Sequence, residues 1–240
     1  MLKTRYILIY RERESRTDER TSNNKAVFLL SFSKREIFSN LMSEEEKGEE
    51  DSREETYSLW LTPFSDTEYR DAISTYDSIG FRPHVTLSPS FRCERRLASR
   101  IAKEISKRLK GFKIELEVQE IDHSSAFFKS IFMRIKSTDS LMRATAIARG
   151  EIESTLSSGY PRKDEAFDPH ISITYGDRSQ EERKRIVVEV LKKYDSLRKH
   201  KTFASNLIVV CTSQRKNYNK WEIHDVLPIS NHSPSSDRKE

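Results

Sequence analysis

A chain of 240 residues with 35% hydrophobic and 34% charged side chains can bury one sizeable core, but it is polar for a compact domain, so part of it is expected outside that core. Its net charge of +5 favours a phosphate-bearing ligand only weakly, and its two cysteines, Cys93 and Cys211, are too few for a disulfide framework or a cysteine-based zinc site and fit a reducing compartment. The longest apolar run near the start, Ala26 to Leu30 extended by Phe32, is too short to cross a bilayer or to form a signal-peptide core, so a soluble intracellular protein, cytoplasmic and without a membrane span, is expected.

Arg11 to Arg20 alternate in charge without helical periodicity, and Ser43 to Glu55 is strongly acidic. Residues 1–55 therefore read as a disordered charged extension. Met42 stands directly before the acidic run, and a protein beginning there would lose nothing that looks foldable. From Tyr57 the texture changes to short β-branched or aromatic runs alternating with amphipathic stretches, the pattern of mixed α/β structure, and one domain is expected over residues 56–229. Tyr57 to Leu61 predicts a strand ended by Pro63. Asp66 then caps a helix carrying Tyr69, Ile73 and Tyr76 on one face before Gly80, and Pro83 to Ser88 predicts a second strand. Leu97, Ile101, Ile105 and Leu109 form a helical stripe stopped by Gly111, and Phe112 to Ile121 alternates as a third strand. The second half repeats this order. Ala126 to Lys136 reads as a strand, Asp139 as the cap of a helix to about Leu156 with Gly150 inside it, and Asp168 to Tyr175 as the next strand. Ser179 and Glu182 form a capping box for a helix bearing Ile186, Val190, Tyr194 and Leu197, before strands at Phe203 to Cys211 and Lys220 to Leu227. Residues 230–240, rich in Ser, Pro and charge, read as a flexible tail.

The second strand of each half carries one pattern, Pro83-His84-Val85-Thr86-Leu87 and Pro169-His170-Ile171-Ser172-Ile173. Because side chains alternate along a strand, each pattern presents an imidazole and a hydroxyl on one face and sends two apolar residues into the core. Two halves related by a pseudo-two-fold axis would bring both imidazoles and both hydroxyls to one pocket, which suits a phosphodiester. Hydrolysis there needs a base for water and an acid for the leaving oxygen, and histidine serves in both roles near neutral pH. The hydroxyls of Thr86 and Ser172 can stabilise charge on the non-bridging oxygens.

His-x-Ser/Thr by itself is a poor signal, since His123-Ser124-Ser125 and His200-Lys201-Thr202 also match. These two lack the leading proline and the flanking apolar residues. His123 is expected in a polar connection and His200 at a helix end, so the recurrence at equivalent places carries the inference. A metal site using Asp168, His170 and His84 is a competing reading, weakened because nothing beside Pro83 supplies a matching carboxylate and both hydroxyls would go unused. A serine–histidine nucleophile lacks its glycine-flanked elbow.

The paired motifs resemble the 2H phosphoesterase superfamily, and their spacing is similar to its plant and fungal 2′,3′-cyclic-nucleotide 3′-phosphodiesterase branch. The likeness spans residues 57–228. It includes Tyr57-Ser58-Leu59-Trp60, Phe127 and Phe128, Tyr175 and Trp221, and it does not cover the first 55 residues. The resemblance implies a bilobal α/β (α+β) fold of two pseudo-symmetric halves, each with a mainly antiparallel sheet and flanking helices, and an active site in the cleft between them. It implies hydrolysis of nucleoside 2′,3′-cyclic phosphates to 2′-phosphates, and of ADP-ribose 1″,2″-cyclic phosphate, a tRNA-splicing by-product, to ADP-ribose 1″-phosphate. No metal or cofactor is implied. By similarity His170 would be the base and His84 the acid, Thr86 and Ser172 would hold phosphate, and Tyr175 would stand near it. Trp60 could stack a base, although core packing suits it better. The expected partner is a small cyclic nucleotide phosphate bound by a monomer, with no stable nucleic acid complex. The resemblance to fungal members also allows a Golgi association. An RNA-end-processing or ligase-like 2H protein, suggested by the basic stretches Arg92 to Lys110 and Lys184 to Lys201, and a non-catalytic nucleotide-binding module are the alternatives.

Overall fold

A computed structural model describes residues 53–64, 66–156, 167–214 and 217–230. The expectations of a disordered extension over 1–55 and a flexible tail over 230–240 lie outside these residues, apart from 53–55 and 230. Seven strands and four helices follow one another as β1 (Glu54–Pro63), α1 (Thr67–Tyr76), β2 (Val85–Glu94), α2 (Arg95–Leu109), β3 (Glu115–His123), β4 (Ile131–Ile135), α3 (Asp139–Leu156), β5 (His170–Thr174), α4 (Gln180–Lys193), β6 (Lys201–Cys211) and β7 (Glu222–Pro228). Every strand pairing is antiparallel, in the order β2-β1-β6-β3-β4-β5, with β7 added to β6.

The duplication read from the motifs extends to the hydrogen-bond register. In the first lobe Leu61 pairs with Val85 on one side and Leu207 on the other; in the second, Met133 pairs with Ile171 and Ile121. Trp60 lies opposite Thr86 as Phe132 lies opposite Ser172. The halves exchange their third strands: β3 pairs with β4 of the second half, and β6 with β1 of the first. Where the exchanged strands meet, Leu116 faces Thr202, and these two residues are as far apart in sequence as His84 and His170. An antiparallel pair of equivalent strands centred on equivalent residues has a local two-fold axis, and that axis relates the two motifs.

Several element boundaries differ from expectation for identifiable reasons. β2 continues past Ser88 to Glu94, because the strand bulges between the Leu59–Ser88 and Tyr57–Phe91 pairs and pairing with β1 resumes beyond the bulge. The strand expected over Ala126 to Lys136 begins only at Ile131; Phe127–Lys129 is a 3₁₀ turn closed by Lys129 N–H on the Ala126 carbonyl. Thr138, not Asp139, caps α3, its Oγ1 accepting from Leu141 N–H at 3.3 Å. Asp66 stands before α1 without a side-chain cap bond and pairs with Arg70 at 2.6 Å instead. Half of the expected capping box forms: Ser179 Oγ accepts from Glu182 N–H at 3.1 Å, while the Glu182 carboxylate goes to Arg178. α4 stops at Lys193, so Leu197 is buried from a separate 3₁₀ turn, Asp195–Leu197. The stripe Ile101, Ile105 and Leu109 of α2 and the β-face residues Leu59, Leu61, Val85, Leu87, Ile171 and Ile173 are fully buried in one core.

Candidate active site

Both motif histidines stand where an irregular proline-led segment enters a strand, His84 immediately before β2 and His170 as the first residue of β5. Val85, Leu87, Ile171 and Ile173 anchor the strands in the core, so the alternate side chains, His84, Thr86, His170 and Ser172, turn to the opposite face. The rings are tethered alike. His84 Nδ1 lies 2.7 Å from the carbonyl of Arg82, and His170 Nδ1 lies 2.9 Å from the carbonyl of Asp168, in each case two residues earlier. A carbonyl only accepts, so Nδ1 carries the proton of the neutral ring and Nε2 is the nitrogen available for proton exchange. The rings are near enough that a charge on His170 lowers the pKa of His84.

Aromatic side chains wall the site. Trp60 stacks flat on His84 with centroids 3.6 Å apart, and its equivalent Phe132 meets His170 edge-on at 5.6 Å. Trp60 is 5% exposed, packed with Ile208, Val210 and Trp221, and its Nε1 donates to Ser58 Oγ, so it braces His84, in keeping with packing rather than base stacking. Tyr175 is also buried. It stacks on Phe81 at 4.1 Å and meets Phe128 edge-on at 5.3 Å. Ser172 Oγ donates to the Phe128 carbonyl at 2.7 Å, so in the free protein its proton is committed to the backbone. Thr86, half-buried opposite Trp60, completes the four motif side chains.

Burial dominates the protonation of both rings. It pulls His84 down to about 3, against an opposing contribution from the Arg82 carbonyl and a small further lowering by His170. His170 is lowered as well, by burial first; the Asp168 carbonyl and carboxylate push it up, and Lys129 and Arg134 push it down. The deeper depression at His84 makes His170 the ring that takes up a proton first as pH falls.

Three contributors carry no motif signal. Asp77, buried at the end of α1, accepts from Ile79 and Gly80 N–H through Oδ1, from Tyr175 N–H and Thr174 Oγ1 through Oδ2, and from the Tyr218 hydroxyl. It joins the segment leading to His84 to the end of the strand bearing His170. Lys129 pairs with Asp168 and sits 4.3 Å from the Phe132 ring centroid, and Arg134 is held by Glu120, Asp122 and Asp168. The Asp168 carboxylate, weighed above as a metal ligand, is therefore engaged by two cations. Burial raises its pKa, but the Lys129 hydrogen bond and the two positive charges overcome that and leave it lowered. The decoy histidines lie elsewhere. His123 is the last residue of β3 rather than part of a polar connection, and His200, in a turn before β6, faces Glu68 and the edge of Tyr69.

A duplicated antiparallel fold whose halves trade a strand, and which turns a proline-led His-x-Thr and a His-x-Ser to one face about a two-fold axis, is that of the 2H phosphoesterases. Within that class the chain belongs to the cyclic phosphodiesterase-like protein family, whose model matches residues 56–231. A cyclic phosphodiesterase of Arabidopsis thaliana is 23% identical over 181 residues, covering 72% of this chain and 94% of its own length. A 2′,3′-cyclic-nucleotide 3′-phosphodiesterase of Phaeosphaeria nodorum is 27% identical over 135 residues, covering 50% of this chain and 68% of its own. Among solved structures, E. coli LigT complexed with 3′-AMP aligns at 10% identity with a TM-score of 0.46, over 74% of this chain and 99% of that one. No helix among the described residues is long and apolar enough to cross a membrane.

Proposed function

We propose that the chain hydrolyses nucleoside 2′,3′-cyclic phosphates to nucleoside 2′-phosphates, and ADP-ribose 1″,2″-cyclic phosphate to ADP-ribose 1″-phosphate, as a monomer and without a metal. The observation that carries this reading is the matched tethering of His84 and His170, each with Nδ1 on a backbone carbonyl and Nε2 left for a ligand. One imidazole takes a proton from water as its oxygen bonds to phosphorus. The other gives its proton to O3′ as the P–O3′ bond breaks, and Thr86 and Ser172 stabilise the phosphoryl oxygens. Ser172 can do so only after turning its proton from the Phe128 carbonyl toward the ligand. The cyclic phosphodiesterase names of the plant and fungal relatives support the substrate class.

The resemblance makes His170 the base and His84 the acid. The free cleft favours the reverse, because His84 is the more strongly depressed ring; the negative charge of a bound phosphodiester has to raise His84 for it to serve as acid. Turnover of 2′,3′-cyclic AMP in excess EDTA tests the whole reading, with 2′-AMP as the expected product and a loss of about a hundredfold or more in His84→Ala and in His170→Ala. Absent turnover, or near-normal activity in both variants, would sink it. An activated leaving group then separates the roles, since it spares the variant lacking the acid and not the one lacking the base.

A further inference from the structure

On the other face of the first lobe's sheet, three metal-binding side chains come together that the phosphodiester chemistry does not use. Alternation along β1 separates the two places: Trp60 points to His84, whereas Tyr57 points the other way and meets the His224 ring edge-on at 5.5 Å. Glu55, two residues before Tyr57, shares its face. Cys211 lies opposite Tyr57 on β6, and Glu222, the β7 partner of Cys211, is two residues before His224. One ligand atom from each of Glu55, Cys211 and His224 lies within 4.8 Å of the other two, and all three line a single pocket of about 130 Å³. A second observation comes from His224 itself. Its side chain is 6% exposed, yet Nδ1 is buried without a hydrogen-bond partner, an arrangement that native interiors avoid unless another atom satisfies the nitrogen.

We propose that Glu55, Cys211 and His224 bind a divalent transition metal, zinc foremost, through a carboxylate oxygen, the thiolate and an imidazole nitrogen, with water as a fourth ligand. Sulfur and imidazole select zinc or cobalt over calcium and magnesium, which take oxygen ligands. Binding releases the Cys211 thiol proton to solvent, and the thiolate and carboxylate together neutralise the dication. Arg95 and Lys220 line the same pocket and oppose a cation, while Glu222 offsets part of their charge. The site needs only one cysteine, which is why a count of two did not announce it; its other ligands come from strands remote in sequence. The metal takes no part in hydrolysis. It pins the edge strand β7 and the start of β1 to β6, behind the turn Tyr218–Lys220, whose Tyr218 holds Asp77 and whose following Trp221 packs on Trp60.

The test is a cobalt titration of the full chain, stripped of metal and kept reduced. We expect one equivalent to bind with a thiolate-to-cobalt charge-transfer band and the strong visible bands of four-coordinate cobalt, zinc to displace it, and zinc to raise Tm. Cys211→Ser loses the charge-transfer band and the Tm shift, and Cys93→Ser keeps both. His224→Gln and Glu55→Gln bind cobalt at least about tenfold more weakly. A wild-type circular dichroism spectrum for Cys211→Ser assigns its loss to the ligand; should that variant not fold, the His224 and Glu55 variants decide by the same titration. No charge-transfer band at stoichiometric cobalt, a band that survives in Cys211→Ser, or unchanged affinity in His224→Gln overturns the proposal.

Discussion

At the scale of single residues, the imidazoles are set by three neighbours each: a proline before, a carbonyl on Nδ1 and an aromatic ring against the face or edge. Burial lowers both pKa values in the free protein, so at neutral pH both rings are mostly neutral, while the reaction needs one of them protonated. The singly protonated pair becomes more populated as pH falls below the ordinary histidine value. The pH profile of kcat/KM for 2′,3′-cyclic AMP is therefore expected to peak on the acid side of about 6.5 and to decline toward the alkaline side; a maximum well above that value would contradict the burial seen here. Gly150 makes a simpler case. It lies inside α3 with nothing within 4 Å of where a Cβ would sit, so Gly150→Ala should stabilise the protein by about 0.5–1 kcal/mol through helix propensity. Urea denaturation checks it, and a loss of stability would show a contact that the open space does not suggest.

At the scale of elements, the segment between α1 and β2 is held less by regular pairing than by Asp77. Its carboxylate gathers Ile79, Gly80, Thr174, Tyr175 and Tyr218, and the left-handed backbone of Gly80 at φ 69° lets the chain close around it. Asp77→Ala strands several buried donors at once and is expected to cost about 2–4 kcal/mol, with kcat falling more than KM changes because the two motif strands lose their common brace. Asp77→Asn, which keeps the shape and part of the bonding, should lose less of both. Equal effects from the two substitutions would show that the bonds to this carboxylate do not govern the geometry.

For the whole molecule, holding a buried His84 and a half-buried His170 neutral links stability to pH. The folded protein holds His84 and His170 below their ordinary value, whereas the unfolded chain protonates them near about 6.5. Below that pH the unfolded state binds more protons, so stability is highest above it and is lost as pH falls toward the depressed folded values. The urea midpoint should drop between about pH 7 and about pH 5, and His84→Gln should show a shallower drop. A pH-independent midpoint in the natural protein would mean that His84 is not buried uncharged.

The sequence by itself determined the local and periodic features of this protein: the two halves, the helices with their buried stripes, and the His84-x-Thr86 and His170-x-Ser172 faces. These follow from side-chain alternation and from prolines acting within a few residues. Tertiary structure alone decided which strands pair, and so the exchange of β3 and β6, because periodicity shows which face is buried and not which neighbour covers it. The same distinction separates the residues found by pattern from those missed. Asp77, Phe81 and Lys129 sit in no repeat, and their importance comes from partners distant in the chain. Tyr175 was legible as an aromatic at a strand end, but its stacking on Phe81 was not. Glu55, Cys211 and His224 are likewise ordinary residues on three separate strands, and only the register of β1, β6 and β7 brings them to one pocket.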